Sequence, residues 1–203
     1  MTKKNIYLIR HGQTDYNLKG VVQGRGINSH INETGRWQAE RFYERYKTVT
    51  FDAVYTSSLL RTHQTVASFL RDGLVHSIRE ELDEIDWGIF EGVEHDAILE
   101  GEYFSILQSW AQGNLENKIQ GGESPMELWA RQMPLIEELR TAEYKNLLLC
   151  SHGRAIRALL CGFLDRPLSE MDQFKHDNTC LYQISCQDGI FNLEIANDIS
   201  HLL

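Results

Sequence analysis

The 203-residue chain has no run of about 18 consecutive apolar residues, so no segment is suited to cross a bilayer as a helix. Met1 to Asn5 also passes straight into a strand-like segment, without the apolar stretch of a secretory leader. These absences set the expectation of a soluble, cytoplasmic protein. Positive charge is in deficit: 20 Lys plus Arg stand against 29 Asp plus Glu, a formal charge of −9. Sequence-independent contact with nucleic acid or an anionic membrane needs a basic surplus spread over a surface, so neither partner is expected and any anionic ligand must be held locally. The four cysteines, Cys150, Cys161, Cys180 and Cys186, form no CxxC pair and lack the dense spacing of a secreted scaffold. Each lies in or beside an apolar segment, and buried free thiols are expected. Linkers and internal repeats are missing too. With 42% hydrophobic residues, a chain this long can bury about 70% of its unfolded surface, which excludes disorder and predicts one domain over 1–203.

Strand and helix patterns alternate along the chain. Asn5 to Arg10 is a buried-strand pattern that ends at Gly12. After a long loop, Asn32 is a good N-cap, and Ala39, Phe42, Tyr43 and Tyr46 then share one helical face. A second strand is predicted at Phe51 to Thr56, followed by a helix with Leu59, His63, Val66 and Leu70 on its apolar stripe and Arg61 in its first turn. Ser124, Pro125 and Glu127 supply an N-cap, an N1 proline and a capping-box acid, and Pro134 should kink the helix they start. Leu147 to Cys150 is another continuous apolar strand, with Ile156, Leu159, Leu160 and Phe163 marking the helix behind it. Two closing strands, Thr179 to Ser185 and Ile190 to Ile195, are joined by the turn signal Asp188-Gly189. The pattern predicts an α/β fold, a three-layer αβα sandwich around a mostly parallel central sheet. The stretch 91–122 is the least regular, with five glycines and exposed-looking Tyr103, Phe104 and Trp110, and is expected to act as a lid or specificity insertion.

Chemistry gathers at two strand ends. Arg10-His11-Gly12 follows the first strand and Ser151-His152-Gly153 follows the apolar strand after Asn146, positions where open parallel sheets bind ligands. Whether those two strands are neighbours is not visible in the sequence. Arg10 and Arg61 offer fixed bidentate donors suited to phosphate oxygens. Beside a held phosphate, one imidazole can attack phosphorus while the second, kept protonated by the anion, offsets charge on the equatorial oxygens. The acidic segment Glu80 to Gly88 supplies carboxylates for the leaving oxygen, where an apolar neighbour would favour the protonated acid; composition alone does not choose among them.

These residues resemble the histidine phosphatase superfamily, also called phosphoglycerate-mutase-like. Arg10-His11-Gly12-Gln13-Thr14-Asp15-Tyr16-Asn17 is similar to its N-terminal signature, and Gln23-Gly24 to the glycine-containing loop after it. Ile31-Asn32-Glu33-Thr34-Gly35 resembles its Leu-Thr-x-x-Gly helix start, with Asn32 as cap in place of threonine; Thr56-Ser57-Ser58-Leu59-Leu60-Arg61-Thr62 resembles its second arginine motif. Gly88 and Glu91-Gly92 set the register of the acidic segment, while Gly121-Gly122-Glu123-Ser124 and Ser151-His152-Gly153 match the later blocks. Ordered blocks at compatible spacing cover nearly the whole chain. The resemblance implies His11 as the phosphorylated nucleophile, Glu84 as general acid and later base, and Arg10, Arg61 and His152 as the phosphate pocket. Asn17, Gln23, Gly24 and Gly153 would border a small phosphorylated substrate. No metal or organic cofactor is implied.

The expected activity is phosphomonoester hydrolysis through phospho-His11. The mutase branch carries Arg-His-Tyr-Gly directly after its acid, whereas Glu84 is followed here by Ile85-Asp86-Trp87-Gly88, so a cofactor-dependent phosphoglycerate mutase ranks second. A non-catalytic phospho-ligand binder is the third reading. A metal triad of His11, His152 and Glu84 or Asp15 is disfavoured by repulsion between a cation and the arginines. His30, His63, His76, His95, His176 and His201 are expected to be structural, Glu81, Asp83 and Asp86 to be mostly solvated, with Asp86 the alternative acid. Substrate identity and oligomeric state stay open at this level.

Overall fold

The computed structural model describes residues 3–94 and 97–203. Among them, six strands form one sheet: β1 (Lys4–Arg10), β2 (Ala53–Thr56), β3 (Val75–Ile78), β4 (Asn146–Ser151), β5 (Leu181–Gln187) and β6 (Ile190–Asp198), in the spatial order β3-β2-β4-β1-β5-β6. The β3, β2, β4 and β1 strands pair in parallel, and β5 and β6 close the sheet antiparallel. Every residue of β4 is buried, as a continuous apolar run at the centre of a two-sided sheet requires.

Alternation along β1 and β4 sends side chains into two cores. Ile6, Leu8, Leu147 and Leu149 join Leu135, Ile136, Ile156 and Leu159 on one face, while Ile9, Leu148 and Cys150 join Phe42, Val66 and Phe69 on the other. The first layer is built by α6 (Pro125–Thr141) and α7 (Gly153–Phe163), the second by α2 (Glu33–Tyr46), α3 (Leu60–Thr65) and α4 (Ala67–Arg71), giving the expected three-layer αβα arrangement. All four cysteines are free and buried. No helix of the described residues is long and apolar enough to cross a membrane.

Local signals explain most boundaries. The Asn32 side chain accepts from the Gly35 N–H and caps α2; Ser124 and Glu127 form the reciprocal capping box that starts α6. Asp188 and Gly189 both take positive φ, 54° and 79°, in the two-residue turn between β5 and β6. The sequence expectation departs from the structure in four places. A short helix α1 (Asp15–Lys19), capped reciprocally by Thr14 and Asn17, interrupts the predicted long loop. The helix predicted after β2 is split between α3 and α4 at Val66. Edge strand β3 was unpredicted because its residues are mostly exposed and lack a buried face. The supposedly irregular 91–122 contains a 15-residue helix, α5 (Ala97–Ala111), and Trp110 is fully buried rather than exposed, although Phe104 is 63% exposed. Residues 95 and 96, including His95, lie outside the described residues. Pro134 sits inside α6, which runs through to Thr141 as one helix.

Gly12 locks the end of β1 against α2. A Cβ there would lie 2.6 Å from the Gly35 carbonyl oxygen, closer than any real contact allows. Gly12→Ala is therefore expected to cost about 1–3 kcal/mol through overpacking and to lower activity by shifting His11. Urea unfolding beside a turnover assay checks this; wild-type values in both would show that the contact yields.

Candidate active site

Parallel pairing sets Arg10 beside Ser151, so the residues that follow, His11 and His152, emerge from adjacent strand ends. Their ring centroids are 5.1 Å apart, and both side chains are buried. The cavity at this edge has a volume of about 270 Å³ and is lined by Arg10, His11, Asn17, Gln23, Glu84 and Gly153 together with Trp87, Tyr103, Arg154, Arg157 and His176. A larger cavity of about 880 Å³ lies beside Lys4 and Tyr144, but there the Lys4 ammonium donates to three carbonyls at the end of α6, and no histidine is among the described residues that line it.

Protonation follows from hydrogen bonding. The His11 Nδ1–H donates to the Gly12 carbonyl at 2.8 Å, which leaves the Nε2 lone pair available. Arg61 Nε donates to His152 Nδ1 at 3.1 Å, so that nitrogen is an acceptor, and the Nε2–H donates to Ser57 Oγ at 2.8 Å. His152 is thus a neutral tautomer here; the protonated state expected beside a bound anion would have to displace Arg61 from Nδ1. Burial, with the charges of Arg61 and Arg10, holds both imidazoles well below the usual histidine range.

The two arginines play unequal parts. Arg61 is fully buried and its donors are engaged, Nη1 with the Ile27 carbonyl, Nη2 with the Gly24 carbonyl and Nε with His152, so it charges the site from behind. Arg10 lines the cavity; its Nη1 donates to the His176 carbonyl, while its buried Nε has no acceptor among the described residues. Arg10 thus carries a buried guanidinium N–H without an acceptor, and its side chain lines the same cavity as His11.

Glu84 occupies the start of α7. Its carboxylate accepts from the backbone N–H groups of Ile85, Arg154 and Ala155, at 3.0, 3.1 and 2.9 Å. Two of these donors are the first amides of α7, and Trp87, the aromatic of the same acidic segment, lines the cavity with Glu84. Asp83 was expected to be solvated but is buried, accepting from the Ser58 N–H and hydroxyl and from Arg25. Glu81 pairs with Arg79, and Asp86 accepts from the Gly88 N–H. Asp15 is exposed, and among the described residues no cluster of three His, Cys, Asp or Glu forms a metal-ligand set.

Of the expected border residues, Asn17, Gln23 and Gly153 reach the cavity. Gly24 does not: it packs against Glu91 and offers its carbonyl to Arg61. Gln23 bridges Thr14 and Ser29, and Asn17 Oδ1 accepts from Thr14 and Asn178, so both are tied into the loop that walls the site. His176, expected to be structural, lines the cavity and lies over Gly153, where a Cβ would meet its ring at 2.3 Å. Arg154, Arg157 and Ser57 were also unremarked. The arginines carry a readable signal, an i, i+3 pair on the helix directly after His152; His176 carries none, since it is distant in sequence.

The chain belongs to the histidine phosphatase superfamily, branch 1, whose sequence profile matches residues 6–199. It is 27% identical to phosphoserine phosphatase 1 of Hydrogenobacter thermophilus, over 85% of this chain and 82% of that protein. It is 31% identical to an Enterobacter sp. (strain 638) protein named "Probable phosphoglycerate mutase GpmB", over 97% of this chain and 94% of that one. The solved structure of a mycobacterial glucosyl-3-phosphoglycerate phosphatase superposes with a TM-score of 0.84 at 26% identity, covering 97% and 99% of the two chains.

Two outcomes follow from the buried imidazoles. His176 and His201 are also depressed by burial, to about 3 and about 4, so four histidines are neutral when folded and titrate normally when unfolded. Between those values and about pH 6.5 the unfolded chain binds more protons, so stability rises with pH and is lost on acidification. The melting temperature is expected to fall as pH is lowered from about 7 to about 5, and a flat profile would contradict the burial. Ser57→Ala removes the acceptor of the His152 Nε2–H, and loss of about 0.5–1.5 kcal/mol should lower kcat/KM up to about tenfold.

Proposed function

We propose that the protein is a phosphomonoester hydrolase that works through a phosphohistidine on His11. The observation that carries this reading is the His11 tautomer: with Nδ1–H fixed on Gly12, the Nε2 lone pair is left for the cavity that His11 and Arg10 line together. In the first step the proton of the ester monoanion moves to the Glu84 carboxylate, Nε2 bonds to phosphorus, the ester P–O bond breaks, and Glu84 passes that proton to the leaving oxygen. In the second, Glu84 takes a proton from water as the water oxygen bonds to phosphorus and the P–N bond breaks, releasing inorganic phosphate. Arg10, with the Arg61 charge behind it, offsets charge on the equatorial oxygens, and the neutral His152 ring accepts from Arg61 and holds it in place. Asn17, Gln23 and Gly153 border the substrate, and Gly24 acts through Arg61. Tyr103 and Leu107 make α5 one wall of the cavity, which supports 91–122 as the specificity element.

Phosphoglycerate mutase is the second reading, carried by the relative so named at 31% identity. The two differ in the acceptor of the phosphoryl group. Phosphorus NMR of 3-phosphoglycerate separates them: free phosphate supports hydrolysis and 2-phosphoglycerate supports transfer.

Incubation with a labelled phosphomonoester and an alkaline quench should leave label on His11. His11→Ala is expected to abolish turnover, and Glu84→Gln to slow it about 10²–10⁴-fold. Activity should survive EDTA and be inhibited by vanadate, which can adopt the five-coordinate geometry of the transition state. A fully active His11→Ala protein would refute the scheme.

A further inference from the structure

Arg154 is the second residue of α7 and lines the cavity, yet is only 5% exposed. Its guanidinium lies over the rings of Trp87 and Trp110, 5.8 and 5.4 Å from their centroids, and its Nη1 is ion-paired with Asp172. The Nε and Nη2 groups have no acceptor among the described residues. Those two N–H bonds share the outer edge of the guanidinium plane, the edge that meets a carboxylate with two parallel hydrogen bonds.

Neighbouring groups are already engaged. Arg157 donates Nε to the Phe174 carbonyl, Nη1 to Asp172 and Nη2 to His176 Nδ1. With Nδ1 an acceptor, the His176 proton is on Nε2, on a ring that lines the same cavity. Burial and the charges of Arg10 and Arg157 keep that ring neutral. Two guanidiniums against the one carboxylate of Asp172 leave a single net positive charge, which matches a carboxylate rather than a second phosphate dianion. Arg10, His11, Arg154 and His176 all line the one cavity of about 270 Å³, so a single small ligand can reach both ends of it.

We propose that the Nε/Nη2 edge of Arg154, with the His176 Nε2–H beside it, is a carboxylate subsite, and that the substrate is a small phosphomonoester bearing a carboxylate a few bonds from its phosphate. The inference rests on the hydrolase reading, with phosphorus at His11 and the carboxylate directed to α7. Arg157 and Asp172 are positioning residues that hold the subsite in place. No cation follows Glu84 in the chain; this one comes from a different element, the start of α7.

Two substrate pairs differ chiefly at the carboxylate: O-phosphoserine against phosphoethanolamine, and 3-phosphoglycerate against glycerol 3-phosphate. The native protein is expected to favour the acid of each pair in kcat/KM by about tenfold or more, the discrimination of a site whose polar groups are otherwise unpaired. Arg154→Met, which keeps an unbranched apolar stem over the indoles, should reduce that ratio toward one, with the loss mainly in KM for the acid. Arg154→Lys, which keeps the charge but lacks the two-pronged edge, should fall between them, and serves alone if the Met variant melts prematurely. A native ratio near one, or a ratio unchanged in both variants, overturns the subsite. If p-nitrophenyl phosphate and all four compounds are inert and His11 takes no label, the hydrolase reading itself has failed; p-nitrophenyl phosphate turnover without preference for the acids defeats only the subsite.

Discussion

The in-register parallel pairing of β1 with β4 is the constraint on which the site depends. Arg10 opposite Ser151 puts two backbone termini side by side, and the next residue of each chain segment is a histidine. The His11 N–H donates to the Ser151 carbonyl at 3.0 Å, so the ladder extends one residue past β1 and pins His11 to its neighbour strand. Because side chains alternate between faces with period two, a slip of one residue would send every core side chain of these strands to the wrong layer. The same packing that buries Leu147 to Cys150 therefore sets the separation of the two imidazoles.

Charge at the site is arranged around that frame. Burial first, and then the charges of Arg61 and Arg10, disfavour a proton on His11 and His152, so both imidazoles stay neutral. Neutrality suits a nucleophile, which needs a lone pair. Glu84, held by three backbone N–H groups at the start of α7, brings the compensating negative charge, and it interacts favourably with both arginines. One short stretch of backbone thus serves two carboxyl-recognition tasks in the proposed scheme: the N–H of Arg154 holds Glu84, and its side chain turns to the substrate.

Legibility in the sequence divided along physical lines. The αβα order, the caps at Asn32 and Ser124 and the hairpin at Asp188-Gly189 were readable because periodicity and turn chemistry are local. The expected catalytic set of His11, Glu84, Arg10, Arg61 and His152 was named from ordered motifs; Arg10, His11 and Glu84 line one cavity, and Arg61 is bonded to His152 beside it. Strand β3 and helix α1 escaped because the one lacks a buried face and the other owes its existence to a cap between Thr14 and Asn17 rather than to an apolar stripe. Asp83 was misjudged because a carboxylate's burial depends on partners, Ser58 and Arg25, that are remote along the chain.

By itself the sequence determined the fold class, the family and the candidate residues of the site, since each is carried by spacing over a few residues. Tertiary structure alone decided that β1 and β4 are neighbours, that Arg61 stands behind His152 rather than in the cavity, and that Arg154 and His176 join the wall. Those outcomes depend on how two cores pack across one sheet, and burial, tautomer and charge at a residue are properties of everything that packs against it, not of its own position in the chain.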